Sequence, residues 1–171
     1  VDVSMSSYLK MIRFKTAVLL ACSLKLGALV ADASDEDQEN LYHFGIHIGI
    51  AFQLMDDILD VYGDKEEFGK QVAGDILCNK KTCLYLTAHE KANKDQRKIL
   101  DYYFSHQDFE PNEKVIEVKK VYDAIGVKAL CLKMISENHI LARGYLNAVG
   151  VPKERKSILF KLIETLILRV N

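Results

Sequence analysis

Leu41-Tyr42-His43-Phe44-Gly45-Ile46-His47-Ile48-Gly49-Ile50-Ala51-Phe52-Gln53-Leu54-Met55-Asp56-Asp57-Ile58-Leu59-Asp60-Val61-Tyr62 is a long apolar run interrupted by His43, His47 and three aspartates. It is apolar on nearly every face, and a helix of that kind belongs at the centre of a fold rather than on its surface. Its negative charge is confined to three aspartates near the end. On a helix, Gln53, Asp56, Asp57 and Asp60 fall at i, i+3, i+4 and i+7, so they share one face. Three carboxylates in an otherwise apolar helix are expensive unless a cation compensates them. Oxygen-only ligands suit a hard cation such as Mg2+, which keeps its waters and bridges to phosphates. The alternative is a set of acidic residues that simply faces solvent; the flanking apolar residues weigh toward burial.

Tyr8 to Ala31 reads as a second core helix, with Met11, Ile12, Val18, Leu19, Cys22, Leu26, Leu29 and Val30 spaced at a period of about 3.6. Asp32 to Asn40 is acidic and polar, and Ser34 followed by Asp37 resembles a helix start. Gly63 to Asn79 carries Gly63, Gly69 and Gly74 and reads as a loop. Lys80–Ala92 and Lys94–Phe104 are predicted as shorter helices. Ser105 to Asn112, with Pro111, breaks the chain. Glu113–Ala148 is helical with a break at Gly126, Gly150 and Pro152 punctuate again, and Lys153–Arg169 is an amphipathic helix. No stretch alternates convincingly with the period of a strand, so the fold class is all-α.

The bulk numbers agree. The 171 residues amount to one domain, and only two prolines and nine glycines occur, which favours long regular elements. Net charge is −1 from 23 basic and 24 acidic residues, which leaves no footprint for nucleic acid or an anionic membrane. No apolar run reaches the ~18 residues of a membrane span. Cys22, Cys78, Cys83 and Cys131 form no CxxC pair and read as reduced thiols of a cytoplasmic protein. The chain opens on Val1-Asp2-Val3-Ser4, neither an initiator Met nor a signal peptide, which suggests a fragment or a trimmed chain.

Cations follow the aspartates. Lys70, Lys80 and Lys81 lie in or just after the glycine-containing loop, with Asp75 between, and Lys15 and Thr16 stand within the Tyr8–Ala31 helix. A lysine ammonium is a compact charge suited to polyphosphate. Singly, each lysine reads as a solvated surface residue; Lys15 is the exception, because Phe14, Ala17 and Val18 beside it suggest burial. Carboxylates for a metal and separated lysines for phosphate describe a diphosphate–Mg2+ site. His43 and His47 have the i, i+4 spacing of a zinc pair but lie well around the helix from Gln53 and Asp57, and read as packed or partly exposed. Cys78 and Cys83 look incidental.

The run FQLMDDILDVYGDKEEFGKQVAGDILCNKKT, residues 52–82, is similar to the second aspartate-rich motif of the trans-isoprenyl diphosphate synthases and the GK…D…K loop that follows it. YLKMIRFKTAVLLACSLKLGALVA, residues 8–31, resembles that family's Lys-Thr helix, and RGYLNAVGVPKERKSILFKLIETLILRVN, residues 143–171, resembles its closing helices. The likeness covers nearly the whole chain and looks closest to the short-chain farnesyl and geranylgeranyl synthases. It implies the C-terminal portion of the isoprenoid synthase helical bundle, with residues 1–171 as one half of a single domain. The family's other aspartate-rich motif would lie upstream, since no second DDxxD occurs in these residues.

The resemblance also implies roles. Asp56 would ligate Mg2+ directly, and Asp57 and Asp60 would act through waters or outer contacts. Lys15 and Lys70 would hold an allylic diphosphate, Thr16 and Gln53 would place oxygens near the developing carbocation, and Asp75 and Lys80 would support the loop. The implied reaction is electrophilic alkylation: the allylic diphosphate ionises, isopentenyl diphosphate attacks, and a proton is lost. Phe52, Leu54 and Leu59 would contribute to a dry wall. The intact enzyme would be a homodimer, whereas this half alone would be inactive and would self-associate through apolar surface. The rival readings are a non-catalytic subunit of a heteromeric prenyl synthase and a related terpene cyclase. The intact DDxxD with Lys15 and Lys70 speaks against the first, and the Lys-Thr pair with the GK loop against the second.

Overall fold

The computed structural model describes residues 3–63, 73–105 and 110–168. Among them every regular element is helical: α1 Met5–Ile12, a π-helical segment Arg13–Ala17, α2 Val18–Val30, α3 Asp35–Tyr62, α4 Gly74–Leu77, α5 Cys83–Lys91, α6 Lys94–Ser105, α7 Pro111–Ile125, α8 Val127–Ala148, a 3-10 turn Lys153–Lys156, and α9 Ser157–Leu168. The chain divides into two compact units, one comprising Val1–Tyr8 and Asp56–Lys133, the other Leu9–Met55 and Met134–Asn171.

Helix α3 begins six residues earlier than its apolar pattern suggests, at Asp35 rather than Leu41. The polar stretch is therefore a helix start, as Ser34 followed by Asp37 suggested. Asp35, Glu36 and Asp37 fill its first turn, and the Ser34 hydroxyl accepts the Asp37 N–H at 3.2 Å. Carboxylates there complement the helix dipole. The expectation of a central helix is met: Phe44, Ile46, Ile48, Ala51, Leu54, Met55, Ile58 and Val61 are all buried.

In the unit containing Leu9–Met55, the core gathers Phe44, Ile48, Ala142, Leu146, Ile163 and Leu166. A second cluster joins Ala17 and Ala21 to Ile46. It depends on small residues one turn apart on two helices. A Cβ on Gly49 would lie 2.5 Å from the Cα of Ala17, and one on Gly45 would lie 2.6 Å from the Cα of Ala21. These are backbone approaches, so no rotamer change relieves them. Gly49→Ala is expected to destabilise the protein by about 1–3 kcal/mol through overpacking. Gly27 of α2 has nothing within 4 Å of its would-be Cβ, so Gly27→Ala should be neutral or stabilising. Denaturant unfolding of the two variants checks the contrast; equal midpoints would remove the close-approach argument. Elsewhere in this unit, the Lys156 ammonium donates to the carbonyls of Leu146, Asn147 and Val149 at 2.9, 3.1 and 2.6 Å. A single buried cation thus closes the C-terminal end of α8. Along α2, Leu19, Leu26 and Val30 stay exposed.

In the other unit α7 packs against α4, α5 and α6. Its core includes Ile58, Val61, Ile76, Leu84, Leu100, Val118, Tyr122 and Cys131. Gly126 ends α7 with φ +75°, the left-handed geometry that favours glycine, where the break was expected. The loop read from Gly63 to Asn79 contains the short helix α4. Four residues offer too little periodicity to register in a sequence pattern.

Candidate functional site

The aspartates of α3 do not stand on an equal footing. Asp56 is exposed and Asp60 half-buried, whereas Asp57 is only 5% exposed. The Asp57 Oδ2 accepts the Tyr8 hydroxyl at 2.5 Å and the Cys83 N–H at 3.2 Å. The expectation that the three carboxylates share one face therefore needs correction at Asp57. Neighbouring helical residues point about 100° apart, so Asp56 and Asp57 diverge, and Tyr8 and Cys83 draw Asp57 inward. Among the described residues no three His, Cys, Asp or Glu side chains converge on a ready-made metal position.

Asp60 organises the chain that returns after the loop. Its Oδ2 accepts the Asp75 N–H at 2.9 Å, and its carbonyl accepts the Ala73 N–H at 2.6 Å. Ala73 is buried in the left-handed region at φ +62°, a conformation a non-glycine residue keeps only when its surroundings hold it there. Burial raises the Asp60 pKa, against the lowering by the Asp75 N–H. One turn on, Lys80 donates to the Asp75 carboxylate at 2.5 Å and its backbone N–H to the Asp75 carbonyl at 2.9 Å. The hydrogen bond to Asp75 raises the Lys80 pKa and keeps the ammonium charged. Asp60, Asp75 and Lys80 are thus brought together. Lys70 lies outside the described residues. Lys81, grouped with Lys70 and Lys80 from the sequence, leans over the Tyr85 ring at 5.9 Å and lines a 540 Å3 cavity with His89, Arg97 and Asp101. None of the three α3 aspartates lines that cavity.

Lys15 and Thr16 sit in the π-helical segment, a local widening often found at functional positions. The buried residues of this run are Ile12 and Ala17, five apart, as a π turn dictates, which leaves Phe14 and Lys15 on the outer side. The predicted burial of Lys15 is therefore wrong: it is exposed, and Phe14 beside it is 62% exposed. Thr16 is half-buried and its hydroxyl donates to Gln53 Oε1 at 3.0 Å. Gln53 precedes Asp56 by one turn of the uninterrupted helix α3.

The expected dry wall is only partly visible: Leu54 is fully buried in the core, Leu59 half-buried, and Phe52 39% exposed. His43 and His47 stack on Tyr145 at 4.9 and 5.6 Å, and His47 Nδ1 lies 2.9 Å from Asn138 Oδ1, so both rings are used in packing. The sequence reading missed Tyr8, the Cys83 N–H and Lys114. Lys114 is 4% exposed and donates to the Asn79 side chain, next to Lys80. Nothing in the amphipathic pattern of α7 marks that lysine as inward.

Comparison with known proteins shows the family. The family model for polyprenyl synthetase matches residues 1–125. A geranylgeranyl diphosphate synthase of Saccharolobus solfataricus is 41% identical over 99 residues, covering 58% of this chain and 30% of the relative. Heptaprenyl diphosphate synthase component 2 of Bacillus subtilis is 38% identical over 123 residues, covering 71% of this chain and 34% of the relative. The crystal structure of a geranylgeranyl pyrophosphate synthase superposes with a TM-score of 0.89 at 38% identity, covering 97% of this chain and 52% of that one. The chain thus spans about a third of the length of these curated relatives and about half of the solved one. It belongs to the polyprenyl synthetase family.

Proposed function

We propose that this chain supplies the aspartate and lysine half of a prenyltransferase that condenses isopentenyl diphosphate with an allylic diphosphate in a Mg2+-dependent chain elongation. The observation that carries the reading is the arrangement after α3: Asp56 exposed, and Asp60, Asp75 and Lys80 tied together one turn later, in a member of this family. Asp56 and Asp60 are an oxygen-only pair one turn apart, which fits Mg2+ held through one or two carboxylates and substrate phosphates. When bound, the metal ion would neutralise charge on the departing diphosphate.

In this reading the chain's own groups bind and orient. Lys15 and Lys70 hold the allylic diphosphate as compact charges. The Asp75–Lys80 pair fixes the segment that follows the loop. Thr16 and Gln53, already hydrogen-bonded to each other, turn oxygen dipoles toward a developing allylic cation, where preorganised polar groups act most strongly. The rest of the active site, including a first aspartate-rich motif, lies in this reading outside residues 1–171. Assembly as a homodimer in the cytoplasm belongs to the same proposal. The name of the Bacillus relative, a component 2, supports a two-component assembly as the second reading. No helix among the described residues is long and apolar enough to cross a membrane.

The test is an assay of the full-length protein with isopentenyl diphosphate, an allylic diphosphate and Mg2+. A longer prenyl diphosphate with release of pyrophosphate is expected. No product from the full-length protein alone, with product appearing only after a second chain is added, would favour the two-component reading.

A further inference from the structure

Asp57 spends a carboxylate in the interior. Taking that group out of water is costly unless its oxygens receive donors. The donors come from two other elements: the Tyr8 hydroxyl of α1 at 2.5 Å and the backbone N–H of Cys83, the first residue of α5, at 3.2 Å. Tyr8 is itself 3% exposed. Its burial, ahead of the nearby Cys83 and Asp57, holds the phenol far above its ordinary pKa, so it remains a donor. The last turns of α3 are thereby pinned against rotation about their own axis, at the residue between Asp56 and Asp60.

We infer that Tyr8 is a positioning residue for the aspartate face: with the Cys83 N–H it anchors Asp57, and the anchored turn presents Asp56 and Asp60 to a metal-bound diphosphate. Asp57 then serves as the anchor and not as a ligand. This rests on the function proposed above and assigns different work to the two adjacent aspartates. Partners behind a metal's ligands matter because they fix ligand orientation, and removing one costs about 10–100-fold in metal affinity or activity.

The experiment is calorimetric titration of the full-length protein with inorganic pyrophosphate in the presence and absence of Mg2+. Tyr8→Phe, which removes one oxygen and keeps the ring, should weaken the Mg2+-dependent binding about 10-fold. Tyr103→Phe removes another tyrosine–carboxylate hydrogen bond, to Glu113 on α7, and should leave binding unchanged whatever it does to stability. Asp57→Asn keeps an acceptor for Tyr8 and should bind within a few-fold of wild type, whereas Asp56→Ala should lose the Mg2+-dependent component. Wild-type binding by Tyr8→Phe beside loss by Asp56→Ala would overturn the positioning role and leave the functional reading standing. Loss in Asp57→Asn as deep as in Asp56→Ala would overturn the anchor and make Asp57 a ligand. Unchanged binding by Asp56→Ala would overturn the functional reading itself.

Discussion

Replacing Asp56 with alanine should lower turnover of the full-length protein by about 10²–10³-fold, the scale of losing one preorganised charge-stabilising group. Asp56 is exposed on α3, a turn before the Asp60–Asp75 junction, so its removal leaves no cavity in the core. The effect should therefore be chemical rather than structural. A ligand whose interaction with the leaving diphosphate grows as charge develops acts mainly on the transition state, so kcat should fall further than KM rises. His43→Ala serves as the contrast. It removes a ring stacked on Tyr145, and should cost stability while leaving turnover per folded molecule nearly intact. The measurement is incorporation of isopentenyl diphosphate into an allylic acceptor with Mg2+ present.

Lys15→Ala should have the next largest effect, on the order of 10² in kcat/KM for the allylic diphosphate. The residue is exposed on the π-helical segment, with Thr16 beside it bonded to Gln53, so a truncated side chain should leave the fold intact. Lys15→Arg restores the charge but spreads it over a planar fork, and should recover the loss only in part. The deficit should shrink for isopentenyl diphosphate, which this lysine is not proposed to hold. An unchanged KM and kcat for the allylic substrate in Lys15→Ala would remove Lys15 from the site.

Much of the fold was legible because it is written in periodicity. The all-round apolar character of α3 identified the central helix, Ser34 with Asp37 marked its start, and Gly126 marked the end of α7 where a left-handed residue is required. The close approach of the Lys-Thr run to α3, Ala17 and Ala21 against Gly45 and Gly49, went unread: small residues one turn apart on both partners carry no apolar stripe of their own.

Other features depend on partners that a local pattern does not contain. Asp56 and Asp57 are the same residue type side by side, and Asp57 turns inward toward donors distant in sequence, Tyr8 49 residues earlier and the Cys83 N–H 26 residues later. The burial predicted for Lys15 rested on its apolar neighbours Phe14, Ala17 and Val18; in the π segment from Arg13 to Ala17, Phe14 itself is exposed, so those neighbours do not mark an inward face. Lys156 and Lys114 read as surface charges because a lysine's default is solvent. The first is buried by three carbonyls at a helix end and the second by the Asn79 side chain.

Asp56 on α3 is proposed to hold a metal-bound diphosphate. The most direct test is a crystal structure of the full-length protein with Mn2+ replacing Mg2+ and a non-ionising allylic diphosphate analogue, in which anomalous scattering locates the metal. A metal within about 2 Å of an Asp56 oxygen and of the diphosphate, with Asp57 still accepting the Tyr8 hydroxyl, is the predicted result. A diphosphate bound with its metal away from Asp56 would contradict it.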